Sequence, residues 1–352
     1  MSHERITCLV PTHNRPQFLR RLLTYYSVFW PEFSFLVVDS SGRQAAAENN
    51  AAIERFRRTL KIEYRHFASD YMSKCINALG LVRTPFVVFC ADDDLLIPDS
   101  VGKCVEFLEV EAGFATVQGR TALLNTTRST WRRRLKILKG YSIDQNCPLD
   151  RCHRIASNFF SNFYAVHRTK CLLDNFRIAA ANMDLNSSPH LAEPLLLQMS
   201  VLRGRVKVLP LMYSIWQRHG ENASSQNQSG LEPEAELHYQ RFKGTLRRQM
   251  TSEGIDQSDA ECFIDDWYGH CRNPELASWR RCVSMKERFR RIMTGLVERM
   301  EDLVSLDRVR HCRSIRPSDL VGCESTWQAA VKLISDFPQG IPEESALLKR
   351  SA

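Results

Sequence analysis

Apolar residues in the first hundred positions fall into short unbroken runs, separated by stretches of helical spacing. Ile6–Val10 is one such run and stops at Pro11; unbroken hydrophobicity over so few residues predicts a strand covered on both faces. The polar turn Thr12-His13-Asn14-Arg15 follows, in which Asn14 reads as an N-cap and Pro16 as a first-turn residue. Phe18, Leu19, Leu22, Leu23 and Tyr26 then repeat at the spacing of one helix face. Phe33–Val38 predicts a second strand ending at Asp39-Ser40-Ser41-Gly42, Leu60–Tyr64 a weaker third, and Ser69–Leu81 a helix. Phe86–Ala91 predicts a fourth strand that runs into Asp92-Asp93-Asp94, with a helix beginning near Pro98.

Apolar strands alternating with helices predict a parallel sheet with helices on both faces. Ligands in such sheets bind at the carboxyl ends of the strands. Three of those ends carry polar residues here: Thr12–Arg15, Asp39 and Asp92–Asp94. Successive carboxylates at the end of a buried strand repel one another and call for a cation. Their hard oxygens suit Mg2+ or Mn2+, which share phosphate oxygens and offset charge on a departing phosphate. The plainer alternative, an acidic turn capping the helix near Pro98, accounts for one carboxylate of the three. Neither GxxxxGK[ST] nor GxGxxG follows the first strand, which weighs against a P-loop NTPase or a dinucleotide-dependent dehydrogenase.

Composition adds limits. The 352 residues set a prior of one large or two medium domains, and 43% hydrophobic with 25% charged residues is the mix of a globular protein. No apolar run approaches the ~18 residues of a membrane span, and the opening run is short for a secretory segment. The expectation is a cytoplasmic protein. Twelve cysteines include no CxxC pair, and Cys147, Cys152 and His153 would be half of a zinc site without a second half. The net charge of +8 admits nucleic acid, an anionic membrane surface or a phosphorylated small molecule as partner. No nucleic-acid-binding signature accompanies it.

At this point four blocks resemble the GT-A glycosyltransferases, and among them the inverting family 2 and its close relatives. Leu9-Val10-Pro11-Thr12-His13-Asn14-Arg15 resembles the opening strand and turn, and Leu36–Ser41 the second strand, whose terminal acid, here Asp39, contacts the nucleoside. Asn77 stands fifteen residues before Asp92, close to the family's separation between its helix Asn and the metal motif. Phe89–Asp94 resembles the DxD block, with Asp92 and Asp94 as the aligned acids; in a second register Ala91 replaces the first acid and Asp93 becomes the metal ligand. Downstream, Asn162–Val166 is similar to the acceptor-side strand, Leu191–Leu197 to the start of the base-bearing helix, and Val206–Pro210 to the strand after it. Tyr213–His219 is similar to the closing segment, where a His reaches the metal or diphosphate.

The resemblance implies an α/β GT-A (Rossmann-like) fold over residues 1–225, with a nucleotide half near 1–100 and an acceptor half near 101–225. It implies an inverting, Mn2+- or Mg2+-dependent transfer from a nucleotide-sugar, UDP-linked by family frequency, to a saccharide or lipid-linked acceptor of surface polysaccharide synthesis. Pro11, Thr12, His13, Arg15, Asp39, Lys74, Asn77, Asp92 and Asp93 would meet the nucleotide-sugar. Asp92, Asp94 and His219 would hold the metal, and Glu193 would be the general base. Two positions depart from the family: Ile76 replaces the Arg before the helix Asn, leaving Lys74 or Arg83 to meet phosphate, and Pro194 replaces the second acid of the E-D pair. Asp184 is the rival base. Each role has a plainer alternative: Glu193 as a helix N-terminal acid, His219 and Arg15 as solvated residues, Asp39 as a turn cap.

Beyond the resemblance, the basic run 131–139 reads as a solvated loop or as a contact for anionic lipid or a lipid-linked acceptor. Residues 226–234 read as a linker, 235–335 as a helical region and 336–352 as a loosely ordered tail. A basic amphipathic stripe over 286–304 packs on its own domain, on a second copy in a homodimer, or on the inner face of a membrane. A nucleotidyltransferase of related fold, and a binding scaffold without turnover, are the competing functions.

Overall fold

A computed structural model of the chain describes residues 2–126, 134–183, 189–220, 235–272, 315 and 317–336. Its strands are β1 (Ile6–Thr12), β2 (Ser34–Asp39), β3 (Lys61–His66), β4 (Phe86–Phe89), β5 (Leu95–Leu96), β6 (Phe114–Asn125), β7 (Arg134–Ile137), β8 (Val166–Arg168) and β9 (Arg205–Arg218). They form one sheet in the order β3-β2-β1-β4-β8-β6-β9-β5, with β7 paired to β6. β3, β2, β1 and β4 are parallel. β8 is antiparallel to both β4 and β6, and β9 runs parallel to β6, so most of the sheet shares one direction.

Ten helices cover the sheet: α1 (Pro16–Phe29), α2 (Arg43–Phe56), α3 (Tyr71–Leu81), α4 (Pro98–Val110), α5 (Pro148–Ser157), α6 (Thr169–Asn182), α7 (Pro189–Arg203), α8 (Ala235–Ser252), α9 (Gln257–Arg272) and α10 (Glu324–Asp336), counted among the described residues. β1 is buried at every position, and the two-residue period of a strand divides it between two cores. Cys8 and Val10 join α1, α4 and α10 on one face, while Leu9 joins α3, α6, α7, α8 and α9 on the other. Each fully buried aliphatic side chain contributes about 1.5–3 kcal/mol, which explains why both faces of a central strand must be apolar.

The helical C-terminal region packs onto the same two cores. Trp327, Ala330 and Ile334 of α10 are buried against the α1 side, where the Tyr25 hydroxyl donates to the Thr326 carbonyl at 3.3 Å. Just before α10, Asp319 is fully buried and pairs with Arg120 of β6. On the opposite face, Phe242 and Leu246 of α8 and Phe263 of α9 pack with Cys152 and Phe176. No helix among the described residues is long and apolar enough to cross a membrane. The linker 226–234, the stripe 286–304 and nearly all of the tail 336–352 lie outside the described residues, as do 131–133 of the basic run.

Three local expectations change. Asn14 does not cap α1: Arg15 precedes the helix without a side-chain cap bond, and Asn14 has a left-handed φ of 54°, a conformation Asn adopts more readily than most residues. Its side-chain oxygen instead accepts from the Gly42 amide at 2.8 Å, tying the ends of β1 and β2 together. Asn162–Ala165 is a turn, closed by the Ala165 amide on the Asn162 carbonyl at 2.9 Å, and the strand begins only at Val166. The segments Val206–Pro210 and Tyr213–Arg218 are one strand, β9, continuous past Pro210 because its pairing with β6 is irregular there. Opposite that irregularity sits Gly119, where an added Cβ would lie 2.5 Å from the Leu211 carbonyl oxygen.

Candidate active site

The three neighbouring acids face three different partners. Asp92 is fully buried; it accepts from the Thr12 hydroxyl at 2.7 Å and lies 2.6 Å from Arg15 Nη2. Burial pushes its carboxyl up to about 7, with Asp93 adding to the rise against the pull of Arg15, Thr12 and Arg21. Asp93 is also buried, yet His219 and Arg15 outweigh the burial and hold its carboxyl below the ordinary value. Its Oδ2 lies 2.8 Å from His219 Nε2 and 2.9 Å from Arg15 Nη1. Asp94 Oδ1 accepts the backbone amide of Gln217 at 2.8 Å, and burial together with Asp93 drives that carboxyl well up. None of the three caps α4, whose N-cap is Ile97.

Asp93 meets His219, whereas Asp92 turns to Thr12 and Arg15 and Asp94 to the β9 backbone. His219 is held by its ring, stacked on Phe18 of α1 with centroids 4.6 Å apart. Two residues without a role in the sequence reading complete the cluster. Arg21 is buried, donates to the Asp93 carbonyl and to Gln217 Oε1, and is lowered to about 10 by burial. A signal for Arg21 was present, since it lies three residues after Phe18 and four before Tyr25, on the apolar face of α1. Gln217 carried none: its neighbours become visible only once β9 lies beside the acidic turn.

Beside this cluster, the ends of β1 and β2 make a second polar patch. Lys74 of α3 is buried and donates to the Thr12 carbonyl at 2.8 Å and to Ser40 Oγ at 2.9 Å; burial lowers its pKa. Asp39 accepts from Asn49 and Tyr64 side chains, each at 2.8 Å, and from the Ser41 amide at 2.7 Å. Burial alone would raise its carboxyl, but these donors outweigh it and hold it below the ordinary value. His13 is exposed, with Nδ1 2.9 Å from the Ser40 carbonyl oxygen. Pro11 is buried in register with Val38. Asn77 is exposed one turn beyond Lys74, and Arg83, past the end of α3, bonds the Gly80 carbonyl.

Glu193 lies within α7, five residues into the helix Pro189–Arg203, and Pro194 is helical beside it. Burial raises its carboxyl, moderated by the Ser161 hydroxyl bonded to it. Burial raises the Tyr71 phenol, with Cys75 and then Glu193 and Asp92 adding to the rise. Tyr164 stands in electrostatic reach of Asp93 and Asp94. Asp184 lies outside the described residues.

Asp93 and His219 converge and offer one carboxylate and one imidazole, a set that suits a hard or borderline divalent cation. Among the described residues no group of three or more His, Cys, Asp or Glu side chains forms a metal cage. A cation there would draw its remaining ligands from water and phosphate oxygens, the habit of Mg2+.

Residues 7–169 match the model of Glycosyl transferase family 2. No curated protein sequence matches the chain. Among solved structures, S. aureus TarS 1–349 in complex with UDP-GlcNAc aligns with a TM-score of 0.52 and 16% identity, covering 75% of this chain and 71% of that one. The mannosyltransferase PcManGT from Pyrobaculum calidifontis, in complex with GDP-Man and Mn2+, aligns more loosely, with a TM-score of 0.43 and 15% identity over 94% of this chain and 86% of that one. The first likeness speaks for the fold alone. The matched stretch runs from β1 to the start of α6 and holds the strand-end residues Thr12, Arg15, Asp39 and Asp92–Asp94. Residues 7–169 thus carry a match to the glycosyl transferase family 2 model, and the described chain has the α/β GT-A fold.

Proposed function

We propose that the chain moves a glycosyl group with inversion from a nucleotide-sugar to an acceptor hydroxyl, with Mn2+ or Mg2+ held by Asp93 and His219 and with Glu193 as base. The observation that carries this reading is the 2.8 Å approach of His219 to Asp93, made where the carboxyl ends of β4 and β9 meet. When bound, the cation supplies charge compensation for the departing diphosphate. Arg15, already bridging Asp92 and Asp93, adds a cation at the same end. Asp39 and Lys74 make the polar floor toward the nucleoside, and UDP is the nucleotide we expect; TarS, which shares the fold, was crystallised with UDP-GlcNAc.

Glu193 takes the proton of the acceptor hydroxyl while its oxygen attacks the anomeric carbon. The bond from that carbon to the diphosphate oxygen breaks, and the electron pair leaves with the nucleotide. A single displacement inverts the centre. Burial, which raises the Glu193 carboxyl, moves its basicity toward neutral pH, where a general base is most effective. The acceptor class we expect is a saccharide or lipid-linked saccharide of surface polysaccharide synthesis.

Glu193→Gln should retain thermal stabilisation by UDP with Mn2+ while transfer from a UDP-sugar falls by about 10²–10⁴-fold. Asp93→Asn and His219→Ala should each abolish the Mn2+-dependent part of that stabilisation. Transfer at the normal rate by the Glu193 variant removes it as base, and consumption of a nucleoside triphosphate instead of a nucleotide-sugar supports the nucleotidyltransferase.

A further inference from the structure

Apart from the acidic cluster, the described residues enclose a cavity of about 520 Å³, within the range of small-molecule sites. Gln118 and Thr121 of β6, Tyr141, Asn158, Ser161 and Trp216 of β9 line it. Two of these residues lead from the cavity toward the proposed site. Ser161 is bonded to Glu193. Trp216 sets its ring at 5.4 Å and 68° to Tyr164, the phenol in reach of Asp93 and Asp94. The cavity therefore reaches Glu193 through Ser161, and on another side it borders Tyr164 through Trp216.

Its chemistry is selective. The lining joins four aromatic rings and two aliphatic side chains to two carboxamides and two hydroxyls, with no carboxylate among the described lining residues. Of the two cations in the wall, Arg120 is paired with Asp319, and Lys139 is exposed at the rim beside Asn158. A lipid chain would leave unmet the hydrogen-bonding capacity that the Gln118 and Asn158 amides keep beyond their bonds to the Ser161 carbonyl and Lys139, at a cost of about 1–3 kcal/mol for each buried polar group. A pyranose satisfies both halves of the lining, since its C–H face packs on an aromatic ring while its hydroxyls exchange hydrogen bonds with amides and Ser or Thr.

We propose that this cavity receives the acceptor as a neutral pyranose saccharide, with Trp216 as the stacking surface and Ser161 directing a hydroxyl toward Glu193. The assignment names the substrate class of the site above and rests on Glu193 being the base. It predicts saccharide binding without any donor, because every lining residue named above belongs to the chain itself.

The test uses the epitope-tagged full chain on a printed array of neutral and charged glycans, with no nucleotide present. Binding to a set of neutral glycans is expected, falling at least about tenfold in Trp216→Ala. Because loss of the indole also removes a packing partner of Tyr164, Gly140→Phe is the second variant. Gly140 lines the cavity, the nearest atoms to an added Cβ are at 3.7 Å, and its backbone needs no left-handed conformation, so the ring fills the space without removing a contact. Both variants should keep the thermal shift with UDP and Mn2+. Binding confined to anionic glycans, binding to none, or equal binding by both variants overturns the proposal while an intact UDP shift leaves the transferase reading standing. If the UDP shift is missing from the wild type, it is the donor-site reading that fails, and the array still decides the cavity.

Discussion

Asp39 shows how a single side chain at a strand end can be tied into the scaffold from three sides. It is fully buried with three donors around it, and its pKa lies below the ordinary 3.8. A carboxyl that ionises more readily in the folded chain stabilises the fold wherever it is charged in the unfolded chain, and that stabilisation disappears as pH falls through the depressed value. Asp39→Asn should therefore lower the melting temperature at neutral pH, with the gap to wild type narrowing below about pH 4. A gap that stays constant down to acid pH would show that the ionised form contributes nothing. The acid itself was legible from the end of a strand-like run. Its donors Asn49 and Tyr64 were not, since they come from α2 and β3, and only the closed sheet brings them in. The partners of the acidic trio were hidden for the same reason: Asp94 and Asp93 find Gln217 and His219 123 and 126 positions away.

Elements that are locally self-consistent were legible, and those shaped by a distant neighbour were not. β1, β2 and β4 announce themselves because strands covered on both faces must be apolar throughout. β9 reads as two pieces around Pro210 because its course depends on the bulged edge of β6. Gly119→Ala tests that dependence. With the Leu211 carbonyl oxygen at 2.5 Å and the Tyr213 Cβ at 2.7 Å from the new methyl, backbone rather than a flexible side chain must give way. The variant should lose about 1–3 kcal/mol in denaturant unfolding, and an unchanged midpoint would mean that β6 and β9 slide freely here. Trp216 follows on the same strand, so the substitution should also weaken saccharide capture.

Across the whole molecule, the C-terminal region belongs to the catalytic fold in a physical sense, whatever its boundaries in sequence. Trp327, Leu333 and Ile334 are almost completely buried with α1 and β1, and each burial is worth about 1.5–3 kcal/mol before ordering is counted. A chain ending at residue 316 should unfold at lower temperature and lose its single sharp transition in circular dichroism. Unchanged melting would show that α10 is a passenger. The same deletion strips Asp319 from Arg120, leaving a guanidinium at the cavity wall without its counter-charge, so a truncated chain should shift its glycan preference toward anions.

One strand, β9, carries Trp216 on the acceptor side and Gln217 on the acidic turn, and hands over directly to His219. Neighbouring residues of a strand point to opposite sides and cannot be repositioned one at a time. The arrangement resembles a single beam with a fitting on each flank, so a shift of the whole strand would move both at once, whereas a change of one side chain leaves the opposite flank in place.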